Sequence, residues 1–339
     1  AESSCTPSRV ALLTGLYPAR VGAHPFLSGI DHELVTLPDS LAAAGYRNYM
    51  IGKWHAGDSH REARPEFQGF QRWFGFVNQL YLQAPGEAGP YRRARPTYLD
   101  PWLEDERGTR RQYRGHLTDL LTDRALAVMR SEQDPWFIYL SYYAPHSPVE
   151  PAQSYASRFP DDDAGRYQAL KMQLDTNIGR VLTYLEESGT LDNTMLVVVS
   201  DNGGTARHWP SNLPFPGFKA TYTEGGVRTP LLLLWPGRWP QAEQRDHPVM
   251  IADIYPTIMA ALGLEAPAGL DGVDLFTPPR PRLLRWYAHG LLGDRFSVLS
   301  EDGQWRFSAL GDGTEQLNAM EDLGSGQSRN RLAQHPDIA

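Results

Sequence analysis

Short apolar runs alternate with amphipathic stretches through the middle of the chain. The apolar and aromatic runs that predict strands are residues 46–51, 135–143, 195–199 and 231–235. Residues 36–44 predict a helix with Pro38 in its first turn, and residues 166–188 predict a long amphipathic helix that ends before Gly189. This alternation predicts an α/β fold in which helices flank a mostly parallel central sheet.

The pattern changes at the proline-rich stretch that begins at residue 278. Residues 283–299, 305–310 and 327–336 beyond it predict a few antiparallel strands and a helix. We therefore expect a large catalytic domain over residues 1–277 and a small C-terminal α+β subdomain over residues 278–339. Residues 87–114 are rich in Arg, Pro and Gly and predict an inserted surface loop.

Composition and charge narrow the class of protein. Hydrophobic residues make up 41% of the chain and charged residues 21%, which is typical of a soluble globular protein, and no apolar run is long enough to span a bilayer. The formal net charge of −8 argues against nucleic acid as a partner, so an anionic substrate would need a locally basic pocket. No signal peptide is visible, and localisation stays open, with a periplasmic or secreted location favoured.

The only cysteine of the chain, Cys5, lies in a distinctive segment. Because a lone cysteine cannot form an internal disulfide or a thiolate cluster, packing or reactivity must explain it. Cys5-Thr6-Pro7-Ser8-Arg9 precedes a short apolar run that ends at Gly15, which predicts a loop entering a helix. Cys5 would then lie just ahead of a helix N-terminus that stabilises anions, with Arg9 adding a permanent positive charge.

Residues 5–15 resemble the motif of the sulfatases of the alkaline-phosphatase-like superfamily, C-x-P-S-R-x-x-x-L-T-G, at every fixed position. The resemblance extends over nearly the whole chain and implies an alkaline-phosphatase-like fold. It also implies that a maturase oxidises Cys5 to formylglycine, whose hydrated aldehyde is the nucleophile. Family members usually carry a strand and a paired Asp-Asp metal segment ahead of this motif, and we expect that segment to be missing here.

Two further motifs follow predicted strands. Residues 52–57 resemble the family's G-K-W-H-x-G and place Lys53 and His55 two positions apart, on one side of an extended segment. The resemblance implies that Lys53 holds a sulfate oxygen and that His55 is the base acting on the formylglycine hydroxyl. Residues 145–148 resemble the family's P-H-x-P, which implies that His146 is the general acid on the leaving oxygen.

Residues 200–203 resemble the family's S-D-N-G. Asp201 and Asn202 offer a carboxylate and an amide oxygen on consecutive residues, the ligand type that hard cations prefer. With residue 5, they are implied to bind calcium, magnesium being the alternative. Calcium takes about 6–8 oxygen ligands, so the family's Asp-Asp pair would have to supply others.

Residues 219–230 resemble the family pattern K-x-x-x-x-E-G-G-x-R-x-P, which implies that Lys219 bridges the transferred group and the leaving oxygen. Glu224 and Arg228 are expected to be structural and to pair with each other or cap the next strand. His208 is expected to lie in an exposed loop.

The function that these motifs imply is hydrolysis of a sulfate monoester, with a sulfated small molecule or carbohydrate as substrate. A phosphonate monoester or phosphodiester hydrolase on the same fold is one alternative, because tetrahedral oxyanions differ little in shape. The other alternative is an inactive fragment that binds sulfated ligands without turning them over, which the missing metal ligands favour.

Overall fold

The computed structural model of the chain describes residues 2–23, 29–57, 61–78, 97–205, 212–278, 281–288, 295–309, 312–324, 329–335 and 338. The chain divides into two compact units, each built from separate stretches. The first unit comprises Ala1–Ile30, Val197–Leu233 and Ala242–Ala339, and the second comprises Asp31–Leu196 and Leu234–Gln241. The predicted boundary between residues 277 and 278 stays a prediction.

The helices are α1 (Cys5–Thr14), α2 (Leu37–Ala43), α3 (Leu117–Ser131), α4 (Gln153–Ala156), α5 (Asp163–Glu187), α6 (Glu224–Val227), α7 (Ile254–Ala261) and α8 (Met320–Gly324). The strands are β1 (Arg47–Lys53), β2 (Arg72–Phe76), β3 (Trp102–Asp105), β4 (Arg110–Gln112), β5 (Trp136–Ser141), β6 (Leu196–Val199), β7 (Leu231–Leu234), β8 (Leu284–Ala288), β9 (Arg295–Leu299), β10 (Trp305–Ala309) and β11 (Glu315–Ala319). Within the described residues, no helix combines the length and apolar character needed to cross a membrane.

A five-stranded sheet in the order β4-β3-β2-β1-β5 forms the centre of the second unit. β1 runs parallel to β2 and β5, with Ile51 opposite Phe74 on one side and Leu140 on the other. β3 and β4 extend the sheet in antiparallel fashion. The predicted parallel pairing is therefore confirmed for the centre of the sheet, while the sheet as a whole is mixed. Most residues of β5 are half-buried rather than fully buried.

The added strands correct the prediction of a surface loop. Residues 87–96 lie outside the described residues, whereas residues 97–114 contain β3 and β4. Leu103 is fully buried in the core of the second unit, and Glu104 pairs with Arg64 and Arg110. The charges that suggested a loop instead neutralise each other along the sheet.

Helices α2 and α5 of the second unit begin where side chains satisfy their first backbone N–H groups. Thr36 and Asp39 form a reciprocal capping box at the start of α2, and the Asp162 carboxylate accepts from the Gly165 N–H at the start of α5. The predicted helices are therefore confirmed, with α5 starting three residues earlier than its amphipathic pattern indicated. Apolar residues of α3 and α5 pack against β1 and β5, namely Leu117, Leu121, Ala125 and Leu170.

The C-terminal part of the first unit contains an antiparallel sheet in the order β11-β10-β9-β8, as predicted. The helix of this region is α8, however, and not a helix over residues 327–336. In the described part of that segment, residues 329–335, the chain forms turns. Leu284, Trp286 and Leu299 of the sheet pack in one buried cluster with Tyr222 and Val227. The C-terminal sheet therefore supports the segment that follows Lys219.

Candidate active site

Helix α1 places Cys5 at its first residue. Ser4 is the N-cap, so the expectation that Cys5 precedes the helix is wrong: the proline at position 7 is accommodated in the first turn, and helical backbone begins earlier. The helix ends as predicted at Gly15, which has a φ of 67° and donates to the Ala11 carbonyl. The N–H groups of Asp271 and Gly272 donate to the Gly15 carbonyl, which anchors the far end of the helix.

Cys5 lies between a cation and an amide. The Lys219 Nζ donates to the Cys5 Sγ at 3.0 Å, and the Cys5 thiol donates to the Asn202 Oδ1 at 3.2 Å. Cys5 is 4% exposed, so both contacts are shielded from bulk water. A negative charge that develops at the Cys5 sulfur would meet the Lys219 side chain.

Arg9, one helical turn beyond Cys5, pairs with Asp201. Its Nε and Nη2 lie 3.1 Å and 2.8 Å from the same Oδ2 of Asp201. Ser8 holds the same loop, because its hydroxyl donates to the Asp201 carbonyl and accepts from the Glu2 N–H. The polar residues of the motif therefore fix the loop after β6 against α1, and Arg9 offsets the charge of Asp201.

The loops that carry Asn202 and Lys219 approach each other through backbone contacts. The Gly203 N–H donates to the Gly226 carbonyl, and the Lys219 N–H donates to the Gly204 carbonyl, both at 2.9 Å. A Cβ on Gly203 would lie 1.8 Å from the Gly225 carbonyl oxygen, so only glycine fits. The glycines of the two motifs thus bring the loops close enough for Asn202 and Lys219 to share Cys5.

Glu224 and Arg228 contact each other at 3.4 Å, in agreement with the structural role expected from the sequence. The stronger partner is Arg306 of β10, whose Nη2 lies 2.5 Å from Glu224; both side chains are 3% exposed. Burial lowers the pKa of Arg306, and the negative charge of Glu224 opposes that shift. Arg306 was not expected from the sequence, because it lies far along the chain from residue 224, in a strand with the usual alternation of more and less buried residues.

Two more ionisable groups are buried beside these loops. Burial raises the pKa of Glu2 to about 8, so this carboxyl is largely protonated at neutral pH. Burial also raises the pKa of Tyr222. Burial therefore disfavours the charged form of both groups.

In the second unit, β1 ends at Lys53, which is 2% exposed. Trp54 anchors the motif: it is fully buried, and its indole N–H donates to the carbonyls of Gly57 and Ala63. His55 has a φ of 50°, a left-handed conformation that is rare outside glycine. The backbone is therefore not extended at His55, so strand alternation does not determine whether Lys53 and His55 lie on one side.

His146 follows β5 in a turn in which Pro145 and Pro148 both follow cis peptide bonds. Its Nδ1 lies 2.7 Å from the Ser147 carbonyl oxygen, and its ring stacks on Tyr143 with a centroid separation of 4.8 Å. The Lys53 Nζ lies 5.7 Å from the centroid of the same Tyr143 ring. One aromatic ring therefore contacts two of the predicted catalytic side chains.

The predicted site residues thus form two groups. The Cys5 cluster, in the first unit, consists of Cys5, Arg9, Asp201, Asn202 and Lys219. The His146 cluster, in the second unit, consists of Lys53, Tyr98, His116, Tyr143 and His146, of which the two tyrosines and His116 were not expected from sequence. His55 follows Lys53 in the chain, and His208 lies outside the described residues.

The donor set of the Cys5 cluster fits one side of a hard-cation site. Asp201 and Asn202 supply oxygen atoms on consecutive residues, and the Asn202 oxygen is already aimed at residue 5. Among the described residues, no group of three or more His, Cys, Asp and Glu side chains converges as a metal site. The described side chains therefore offer two of the oxygen ligands that a calcium or magnesium ion requires.

The family model described as Sulfatase matches residues 1–264. The chain belongs to the sulfatase family. It is 34% identical over 305 residues to N-acetylgalactosamine-6-sulfatase of Mus musculus, covering 81% of this chain and 57% of that protein. It is 32% identical over 309 residues to Arylsulfatase A of Homo sapiens, covering 80% of this chain and 58% of that protein. This sulfatase chain thus spans less than two thirds of the length of these relatives.

Solved sulfatase structures share the fold. The structure of Ps i-CgsB in complex with k-i-k-neocarrahexaose superimposes with a TM-score of 0.88 at 24% identity, covering 99% of this chain and 80% of that one. The predicted alkaline-phosphatase-like α/β fold with a C-terminal antiparallel sheet is thereby confirmed. Sulfatases generally use a formylglycine and a divalent metal ion, in agreement with the chemistry expected at Cys5 and Asp201.

Proposed function

We propose that this sulfatase hydrolyses a sulfate monoester through a formylglycine made from Cys5 by a maturase. The observation that carries the proposal is the position of the Cys5 Sγ, at the first residue of α1 and hydrogen-bonded to both Lys219 and Asn202. A nucleophilic oxygen at this atom would gain from the helix N-terminus and from the Lys219 charge.

The resemblance to the family implies the roles of the remaining residues in a sulfuryl transfer. Lys53 and Lys219 offset negative charge on the sulfuryl oxygens, and Arg9 holds Asp201 in place. His146 gives a proton to the leaving alcohol, so that the sulfur–oxygen bond of the ester can break. A formylglycine at residue 5 supplies two hydroxyls as its hydrate. One hydroxyl attacks sulfur. His55 takes the proton of the other hydroxyl, which regenerates the aldehyde and allows sulfate to leave.

A divalent cation completes the proposed chemistry. Asp201 and Asn202 would hold calcium, or magnesium as the alternative, next to residue 5. The ion would supply positive charge that favours the ionised form of a hydroxyl at residue 5. Arg9 keeps the Asp201 carboxylate in one orientation, so that its oxygen is presented without rearrangement.

We propose a sulfated carbohydrate as the substrate class. Support comes from two names: N-acetylgalactosamine-6-sulfatase as a relative, and a structural neighbour bound to a neocarrahexaose. The protein should then hydrolyse sulfated mono- or oligosaccharides with a higher kcat/KM than 4-nitrophenyl sulfate. A clear preference for the aryl sulfate would contradict this part of the proposal.

The decisive experiment is co-expression of the chain with a formylglycine-generating enzyme. Mass spectrometry of the peptide ending at Arg9 should show the aldehyde, and hydrolysis of an aryl sulfate should depend on added calcium or magnesium. Cys5→Ala, which has no nucleophile, is the matched control. A higher kcat/KM on an aryl phosphodiester or aryl phosphonate would support the phosphorus-ester hydrolase instead. Conversion of Cys5 without any turnover would support the inactive sulfate-binding fragment.

A further inference from the structure

Four of the described aromatic rings of the second unit form a column that includes His146. The rings of His116, Tyr98, Tyr143 and His146 follow one another with centroid separations of 5.3, 5.3 and 4.8 Å and interplanar angles of 25–29°. Phe76 meets Tyr143 edge-on at 5.4 Å. The rings come from three separate stretches of the chain, with Tyr143 and His146 in one turn, so the column as a whole is a product of the fold.

Hydrogen bonds fix the orientation of the His146 ring within this column. The Tyr143 hydroxyl donates to the Ser147 carbonyl at 2.6 Å, and the His146 Nδ1 lies 2.7 Å from the same oxygen. Because a carbonyl oxygen only accepts, Nδ1 must carry a proton. Proton donation to the leaving alcohol would then use Nε2. The Tyr98 hydroxyl donates to the His146 carbonyl at 2.9 Å, which holds the backbone of the same turn.

We propose that Tyr143 is a positioning residue that orients the His146 imidazole for proton donation to the leaving alcohol; this inference rests on the proposed function. Three contacts of one side chain carry it. The Tyr143 ring fixes the plane of the imidazole, its hydroxyl shares the acceptor that sets the tautomer, and its π face lies against Lys53 as well. An aromatic face stabilises a cation, so the ring favours the protonated imidazole that a general acid requires.

Tyr143 is also 3% exposed within the core of the second unit, so a purely structural role is the competing explanation. The two explanations differ in their dependence on the leaving group. A weakly acidic leaving alcohol needs a proton in the transition state, whereas 4-nitrophenolate hardly does. Loss of core packing would slow all substrates equally, whereas loss of an oriented acid would slow the poor leaving groups most.

The test compares Tyr143→Leu and Tyr143→Phe on aryl sulfates of increasing leaving-group pKa. Tyr143→Leu, which loses the ring, should lose about a hundredfold in kcat/KM on the poorest leaving group and far less on 4-nitrophenyl sulfate. Tyr143→Phe keeps the ring and loses one hydrogen bond, so its loss should be about fivefold and should also fall mainly on poor leaving groups. Tyr142→Leu is the matched control, because the neighbouring Tyr142 instead hydrogen-bonds to Thr122.

A spectroscopic measurement separates this inference from the proposed function. Nitrogen chemical shifts of His146, assigned by their loss in His146→Gln, should report protonated Nδ1 in the parent and in Tyr143→Phe, and mixed tautomers in Tyr143→Leu. The tautomer of His146 can be measured even if the protein hydrolyses no sulfate ester. Absence of hydrolysis would contradict the proposed function but not the role of Tyr143. An equal loss on every substrate in Tyr143→Phe, or an unchanged tautomer in Tyr143→Leu, would overturn the role of Tyr143. If Tyr143→Leu does not fold, the leaving-group dependence of Tyr143→Phe decides.

Discussion

The Cys5 cluster and the His146 cluster stabilise charge in different ways. In the Cys5 cluster, ionised groups meet directly through short polar contacts, as in Arg9 with Asp201. In the His146 cluster, cationic groups contact an aromatic face, and ring nitrogens contact backbone carbonyls. The first arrangement depends on individual charges, because removing one leaves its partner uncompensated. The second depends on ring shape, because a π face survives the loss of a hydroxyl.

The largest expected effect comes from breaking the charge pair of the Cys5 cluster. Arg9→Ala should lower kcat/KM by about a hundredfold to a thousandfold, because Asp201 loses both donors and its fixed position. Arg9→Lys should recover only part of the loss, since a single ammonium cannot reproduce the two guanidinium donors that converge on the Asp201 Oδ2. Arg20→Ala is the control: Arg20 also pairs with an aspartate, but its side chain is 53% exposed. Equal effects of the Arg9 and Arg20 substitutions would contradict the comparison.

The buried ion pair between Glu224 and Arg306, beside the segment that follows Lys219, should contribute most to the free energy of unfolding. Arg306→Met leaves Glu224 with Arg228 alone, so the free energy of unfolding should fall by about 3 kcal/mol, the low end for such pairs. Chemical denaturation measures this effect, and Arg20→Met serves as the exposed control. A loss similar to that of the control would mean that Arg228 fully replaces Arg306.

A pH titration compares the two histidines of the ring column, His116 and His146. His116 accepts from the Thr118 N–H at Nδ1, and its Nε2 lies 2.9 Å from the Glu150 carbonyl, so the ring is held neutral, unlike the ring expected at His146. Burial lowers the pKa of His116. Its stabilising contribution is therefore complete above the unfolded pKa of about 6.5 and is lost as the pH falls below that value, by at most about 1.4 kcal/mol per pH unit.

The measurement is the difference in melting temperature between the parent and His116→Gln from pH 7.5 to pH 5. The parent should lose more stability on acidification than the variant does. His32→Gln, which changes an exposed histidine, should follow the parent. Parallel pH curves for the parent and His116→Gln would show that His116 is not held neutral.

The smallest expected effect concerns two glycines. Gly203 meets the Gly225 carbonyl closely, whereas Gly179 in the middle of α5 has open space where a Cβ would be. Gly179→Ala should therefore raise the free energy of unfolding by about 0.5–1 kcal/mol, because alanine loses less backbone entropy in a helix. Gly203→Ala should be destabilising and should weaken the hold of Asn202 on residue 5. Chemical denaturation of both variants measures these changes. A higher free energy of unfolding for Gly203→Ala would contradict the close contact of Gly203 with the Gly225 carbonyl.

The sequence was sufficient for the central strands β1 and β5, for helices α2 and α5, and for the residues of the Cys5 cluster, because each cluster residue lies in a motif that combines reactive groups with glycine or proline. It was insufficient for the supporting contacts. Tyr98, His116 and Arg306 lie in stretches without a distinctive pattern, and their partners are distant in the chain. The left-handed backbone at His55 and the antiparallel strands β3 and β4 arise from tertiary packing that overrides local preference.

In the proposed function, residue 5 carries the nucleophile and needs two hydroxyls, one to attack sulfur and one to release sulfate. Cys5→Ser supplies one hydroxyl in the same position, so the variant should attack the sulfate ester but be unable to release sulfate. Brief incubation with substrate and calcium, followed by intact mass spectrometry, should show one sulfuryl group retained per molecule, at Ser in place of Cys5, and no further turnover. Steady turnover at the parental rate without a trapped sulfuryl group would contradict the account.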